Sequence, residues 1–243
     1  MTERTEEEIS AQVAKLLAEA NSLTANANKA NADAARANAE TQRAIAEAEY
    51  AQSKTAAELR EARRIQASDG NNRIYRFNGK VDEKSVDAAI YRLGEWSRLY
   101  PGEGIEIVFN SPGGSIIDGF ALFDRILQLR ADGHHVTTGT LGQAASMAGI
   151  LIQAGQTRWV GTQSWYLIHR AGFGSFGSTY EVKDMVELIE RMEKRIMDIF
   201  VDRSDITMKM IKGKWDRKDW WIDANEALEL GLVDEIRGSG SVR

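Results

Sequence analysis

The residues able to do covalent chemistry in this chain are few. Cysteine is absent from all 243 residues, which removes a thiol nucleophile, disulfides and thiolate metal sites. Histidine occurs only at positions 134, 135 and 169, so a general base titrating near neutrality has few candidates. Among the hydroxyl residues Ser146 stands apart. It interrupts a run of small residues, Gly142-Gln143-Ala144-Ala145-Ser146-Met147-Ala148-Gly149, between a strand-like stretch and an apolar helical one. Free N–H groups and the helix dipole at such a junction favour the negative charge that a tetrahedral acyl-transfer intermediate develops. The plainer role for Ser146 is to cap the helix or fill a small site between packed elements. A second segment, Asn110-Ser111-Pro112-Gly113-Gly114, follows a strand. There proline ends the ladder and the glycines leave backbone N–H groups unshielded toward an oxyanion, although a simple tight turn has the same composition.

These groups matter only if the fold brings them to one edge. His134 and His135 precede the strand expected over residues 136–141, whereas Ser146 lies beyond it. A strand of about six residues spans roughly 20 Å, so that histidine pair is expected at the far edge of the sheet, as surface residues. His169 ends the strand formed by Trp165-Tyr166-Leu167-Ile168 and shares the edge of Ser146. A serine–histidine pair works best with a carboxylate that orients the imidazole and stabilises its cation. Asp216, Asp219 and Asp223 are available, and residue chemistry does not choose between the first two. Asp223 stands three residues before Glu226, the spacing of a helix N-cap, and is set aside.

The positioning elements fall into two parts. No glycine precedes Gly70, no proline precedes Pro101, and every tryptophan lies after them or between them. Residues 6–67 are mostly good helix formers, and small or apolar side chains recur with coiled-coil spacing at Ile9, Val13, Leu16, Ala20, Leu23, Ala27, Ala30, Ala34 and Ala37, then Thr41, Ala44, Ala48 and Ala51. An alanine seam buries little area, so each contact along it is weak. A helix of some 60 residues would reach on the order of 90 Å. The expected division is a helical, coiled-coil extension over 1–67, a hinge at 68–72, an α/β domain over 73–238 and a disordered tail at 239–243. In the second part, strands expected at 74–77, 105–109, 136–141, 158–160 and 165–168 alternate with helices at 82–100, 115–132 and 144–154, the pattern of an α/β fold with crossover connections. A long helix over 179–201 follows, then a shorter one near 206–212 and a last one from Ala224. A net charge of −5 disfavours a nucleic-acid binder, and no apolar run approaches the length of a membrane span. With an acidic start in place of a leader, the expectation is a cytoplasmic protein with no cofactor and no metal.

The segments Asn110-Ser111-Pro112-Gly113-Gly114, Gly142 to Ala148, Ile168-His169, Asp219 with Ala224-Asn225-Glu226-Ala227, and Gly231-Leu232-Val233-Asp234 together resemble the proteolytic subunit of Clp protease (ClpP) in order and spacing, over roughly residues 73–236. The resemblance implies a ClpP/crotonase-like fold and a serine endopeptidase, with Ser146 as nucleophile, His169 as base and Asp219 as its orienting partner. The backbone N–H groups of Gly113 and Met147 would form the oxyanion hole. The helix from Thr179 resembles the family's handle, through which rings of subunits assemble. Asn225 stands where the family usually has proline, and Arg170-Ala171 where it has Gln-Pro. The helical extension is foreign to the housekeeping enzyme. In that respect the chain resembles the ClpP-like head-maturation proteases of phages and prophages, which implies capsid or scaffold proteins as partners of the extension and the host cytoplasm or procapsid interior as its place. A Clp-type degradative subunit working with an ATP-driven unfoldase and a non-catalytic scaffold ring are the alternatives.

Overall fold

The computed structural model describes residues 6–172, 177–215 and 219–238. The chain divides into two compact units, Met1–Gln66 and Ala67–Arg243. The first is a single helix, α1 (Glu6–Gln66), with glutamates in its first turn and arginines in its last, as the helix dipole favours. None of its side chains is buried. Ile9, Val13, Leu16, Leu17 and Leu23 are all exposed along its N-terminal part. Propensity and local side-chain pairs such as Glu61 with Arg64 support the helix. Turns follow it up to Arg73.

The second unit is a mostly parallel sheet with helices packed on it. In chain order it comprises β1 (Ile74–Asn78), α2 (Glu83–Leu99), β2 (Ile105–Ser111), α3 (Ile116–Ala131), β3 (Val136–Ala145), α4 (Met147–Ile152), β4 (Thr157–Gly161), β5 (Trp165–Ile168), α5 (Thr179–Arg203), α6 (Met208–Trp215), β6 (Trp220–Ile222), α7 (Ala224–Glu229) and β7 (Glu235–Arg237). The main path runs β1-β2-β3-β4-β7, all parallel. β5 leaves that path to pair with the C-terminal half of β3, and β6 adds to β5 as the antiparallel strand. The core lies between sheet and helices, with Phe77, Phe109, Leu93, Leu122, Ile126, Leu151 and Tyr166 fully buried. Asp82 and Ser85 close a capping box at the start of α2, and Ser178 and Glu181 do the same for α5, so both helices begin where their sequences place Ser or Asp ahead of an apolar run. Among the described residues no helix is long and apolar enough to cross a membrane.

The alternating α/β order and the long leading helix are as expected, with two local corrections. The helix expected over 144–154 is shorter, because β3 continues through the small residues to Ala145 and α4 begins only at Met147. His134 is not a surface residue: it is 2% exposed, and its ring nitrogens bond the Glu103 carbonyl and the Ser97 hydroxyl, fixing the turn ahead of β3 to α2. His135 is exposed, as expected. On α5, Ile196 and Phe200 are buried in the core. Only its N-terminal half stays open, with Tyr180 80% exposed and Met185, Val186 and Leu188 also exposed. The expected tail, 239–243, lies outside the described residues.

Candidate active site

β3 ends at Ala145, and the next residue turns the chain sharply. Ser146 has φ 55° and ψ −126°, a conformation rare for a residue with a side chain, and it makes no side-chain cap on α4. Its hydroxyl is therefore not spent as a helix cap, and the strained backbone holds it at the strand-to-helix corner. The Ser146 N–H donates to the Leu167 carbonyl at 2.8 Å, and Ala145 is in register with Leu167. The serine is thus tied to β5 two residues before His169.

Gly113 completes the corner from the other side. With φ +84° it adopts the left-handed region, and a Cβ built on it would lie 2.6 Å from both the Ala145 carbonyl oxygen and Ser146 Cβ. Only glycine lets the turn after β2 close on the serine. The Gly113 N–H donates to the buried Ser111 hydroxyl at 3.1 Å, so that donor is already engaged from within its own turn. Met147 opens α4, where the first N–H groups have no partner in the helix. Of the two expected oxyanion donors, Met147 is thus the one that its helix leaves unused, while Gly113 shares its proton with Ser111.

Ser146, His169, Gly113 and Met147 line one cavity of about 390 Å³. Pro112, Gly114, Ile116 and Lys80 form one side of it; Ile150, Ile168, Ile196, Phe200 and Trp215 make an apolar wall, and Ala171 and Gly172 continue the rim past His169. Ser146 and His169 are both partly exposed there. Asp219 is exposed and is not part of the cavity lining. It directly precedes β6, whose ladder with β5 pairs Tyr166 with Ile222, Leu167 with Trp221 and Ile168 with Trp220 and ends there, one residue short of His169 and Asp219. Asp216 lies outside the described residues. Asp223 is the N-cap of α7, accepting from the Glu226 N–H at 2.9 Å, and is accounted for structurally. No side-chain hydrogen bond joins Ser146, His169 and Asp219 among the described residues; such contacts are commonly long before substrate is bound.

Several residues here escaped sequence reasoning. Ser111, fully buried, belongs to the singled-out glycine segment but was given no role of its own, and Lys80, two residues past β1, carried no pattern. Glu193 did carry one: it interrupts the apolar series Ile189, Ile196 and Phe200 on α5 and is nevertheless buried. Its carboxylate accepts from Arg170 Nε at 3.3 Å and from the Ala171 N–H at 3.1 Å.

A hydroxyl held at a strained strand-to-helix corner, a histidine at the adjoining strand end and a glycine turn closed against the serine are the groups that serine-hydrolase chemistry requires. Residues 60–239 match the family model described as Clp protease. The chain is 35% identical over 170 residues to the ATP-dependent Clp protease proteolytic subunit 1 of Chlamydia muridarum, covering 68% of this chain and 86% of the relative. It is 35% identical to the subunit 1 of Chlamydia pneumoniae, covering 74% of this chain and 88% of that one, and 30% identical to the proteolytic subunit of Bacteroides fragilis, covering 68% and 79%. The chain belongs to the Clp protease family and is a serine-type peptidase with a ClpP-like fold.

Proposed function

We propose that the chain is a serine endopeptidase in which Ser146 attacks the scissile carbonyl, His169 takes the serine proton and Asp219 orients and balances the imidazolium. The observation that carries this reading is that Ser146 and His169 line one cavity, on strands joined by the β3–β5 pairing; Asp219 is supported by its position just before β6, whose pairing with β5 ends one residue short of His169. In the first step the Ser146 Oγ bonds to the peptide carbonyl carbon while its proton passes to His169. The tetrahedral oxyanion forms beside the Met147 N–H and the Gly113 N–H, the latter turning from the Ser111 hydroxyl to the oxyanion. His169 then gives the proton to the leaving amine, which departs and leaves an acyl-serine. Water repeats the sequence, giving up its proton to His169 and releasing the acid. The apolar wall of Ile150, Ile168, Ile196, Phe200 and Trp215 supports a hydrophobic side chain next to the scissile bond.

The substrate is a protein or peptide, and the working form is a homo-oligomeric ring assembled through α5, whose N-terminal half is apolar and open in the single chain. The finer role we favour is maturation cleavage of capsid or scaffold proteins without ATP. Its support is α1, which lies almost wholly outside the family match and exposes every one of its side chains. A degradative subunit partnered by an unfoldase is the second reading, favoured by relatives named as ATP-dependent proteolytic subunits. Purified chain assayed on a folded protein target with and without ATP and an unfoldase separates the two: cleavage without either supports maturation, and strict dependence on both supports degradation. A fluorophosphonate probe tests the chemistry itself, since it should label the wild-type chain at Ser146 and fail on Ser146→Ala.

A further inference from the structure

We infer that Glu193 is a positioning residue of this peptidase, holding the segment after His169 as the substrate-facing wall of the cavity; the inference rests on the cavity around Ser146 and His169 being the active site. The Glu193 side chain is only 6% exposed, midway along α5. A carboxylate is costly to bury without partners, so its retention in an apolar seam implies specific ones. It has two: its Oε1 accepts from the Ala171 N–H at 3.1 Å and from Arg170 Nε at 3.3 Å. β5 ends at Ile168, and there its ladder with β6 ends too, so Ala171 takes a side chain as acceptor where a strand would offer a carbonyl. Ala171 and Gly172 line the cavity immediately beyond His169, and Ile196 and Phe200 line it from the same helix that carries Glu193. One carboxylate therefore sets the distance between the two walls. At position 171 the resembled family has proline, which has no N–H to donate, so the clamp belongs to this chain's own Arg170-Ala171 pair.

A wall that registers an extended substrate acts on peptide binding more than on the attack by Ser146. The expected result for Glu193→Leu is a rise of about tenfold in KM for a ten-residue peptide, with kcat and the rate of fluorophosphonate labelling each within about threefold of wild type. Ala171→Pro removes the donor and leaves Glu193 in place, and it should give the same KM shift. The Glu193→Leu/Ala171→Pro double variant should be no worse than the poorer single, because both remove one interaction. Glu193→Gln keeps an acceptor oxygen and should stay within about twofold of wild type. Unchanged KM in Glu193→Leu or Ala171→Pro, additive losses in the double variant, or a Glu193→Gln as impaired as Glu193→Leu would each overturn the proposal. So would kcat, labelling and melting temperature falling together, the mark of a merely structural role. Should Glu193→Leu fail to fold, Ala171→Pro and Glu193→Gln carry the same outcomes. Absent labelling of the wild-type chain, or full labelling of Ser146→Ala, overturns the active-site reading itself; normal labelling with unchanged KM overturns only the role of Glu193.

Discussion

At Ser146 the backbone is held at φ 55° by the Leu167 carbonyl on one side and by the glycine turn on the other, so the hydroxyl is presented by rigid main chain. Ser146→Ala should leave the fold intact and abolish both probe labelling and any self-cleavage, read by mass spectrometry of the purified chain. Gly113→Ala should be far more disruptive than its size suggests. Its Cβ would meet backbone at 2.6 Å in a left-handed conformation, so the turn must open and peptide hydrolysis should fall at least about a hundredfold, the scale for losing one oxyanion donor. For the third member of the proposed triad, Asp219→Asn should lower kcat on the order of 10⁴-fold, as when an imidazole loses its orienting carboxylate, and Asp216→Asn far less. The reverse order would move the role to Asp216.

Among the elements, α5 is held at one end and open at the other. Its C-terminal end is fixed by Arg203, which donates to the Gln153 and Gly155 carbonyls, and by Arg158, which bonds Gln153 and pairs with Asp234. Burial alone would raise the Asp234 pKa, but hydrogen bonds from the Arg158 side chain and backbone outweigh it and hold the carboxyl below its usual range. A carboxylate with a depressed folded pKa contributes stability above the unfolded value, and loses it as pH falls through the folded one. Asp234→Asn should therefore melt below wild type at neutral pH, and the gap should close below about pH 4, followed by thermal denaturation. The gap should be modest, since the Asp234 side chain is partly open to solvent. At the open end of α5, Leu188 and Met192 line a shallow groove with Phe120. Leu188→Glu and Met192→Glu should shift sedimentation toward smaller species and reduce peptidase activity together; unchanged mass would mean that α5 does not carry the assembly.

For the molecule as a whole, every residue assigned to the site lies in the second unit, Ala67–Arg243. Deleting residues 1–66 should therefore leave hydrolysis of small esters and peptides within about twofold of wild type. Cleavage or capture of the natural protein target should be lost. Loss of small-substrate hydrolysis would show instead that α1 orders the site or the assembly. The isolated helix, with its alanine seam, should associate weakly, its circular dichroism growing with concentration, because small side chains bury little area per turn.

Local physics was enough for much of this. Helix formers without a breaker make α1, apolar alternation marks most of the strands, and a hydroxyl among small residues at a strand-to-helix junction singles out Ser146, with His169 at the matching strand end. These are decided within a few residues, so the sequence determined them by itself. The small-residue run itself was ambiguous, because alanine and glycine suit both a buried strand and a buried helix. Pairing with β5, and of Ala144 with Ser111 of β2, extends β3 to Ala145 and moves the corner onto Ser146. The same is true of the segment that carries Asp219: it is brought to β5 by an antiparallel pairing of strands some 50 residues apart, which no local pattern encodes. His134 is buried because α2 supplies a partner for its ring, and Glu193 is tolerated in an apolar seam because the chain beyond His169 crosses it. In each case a polar group's fate depends on which distant donor or acceptor reaches it, and that is decided by the tertiary structure alone.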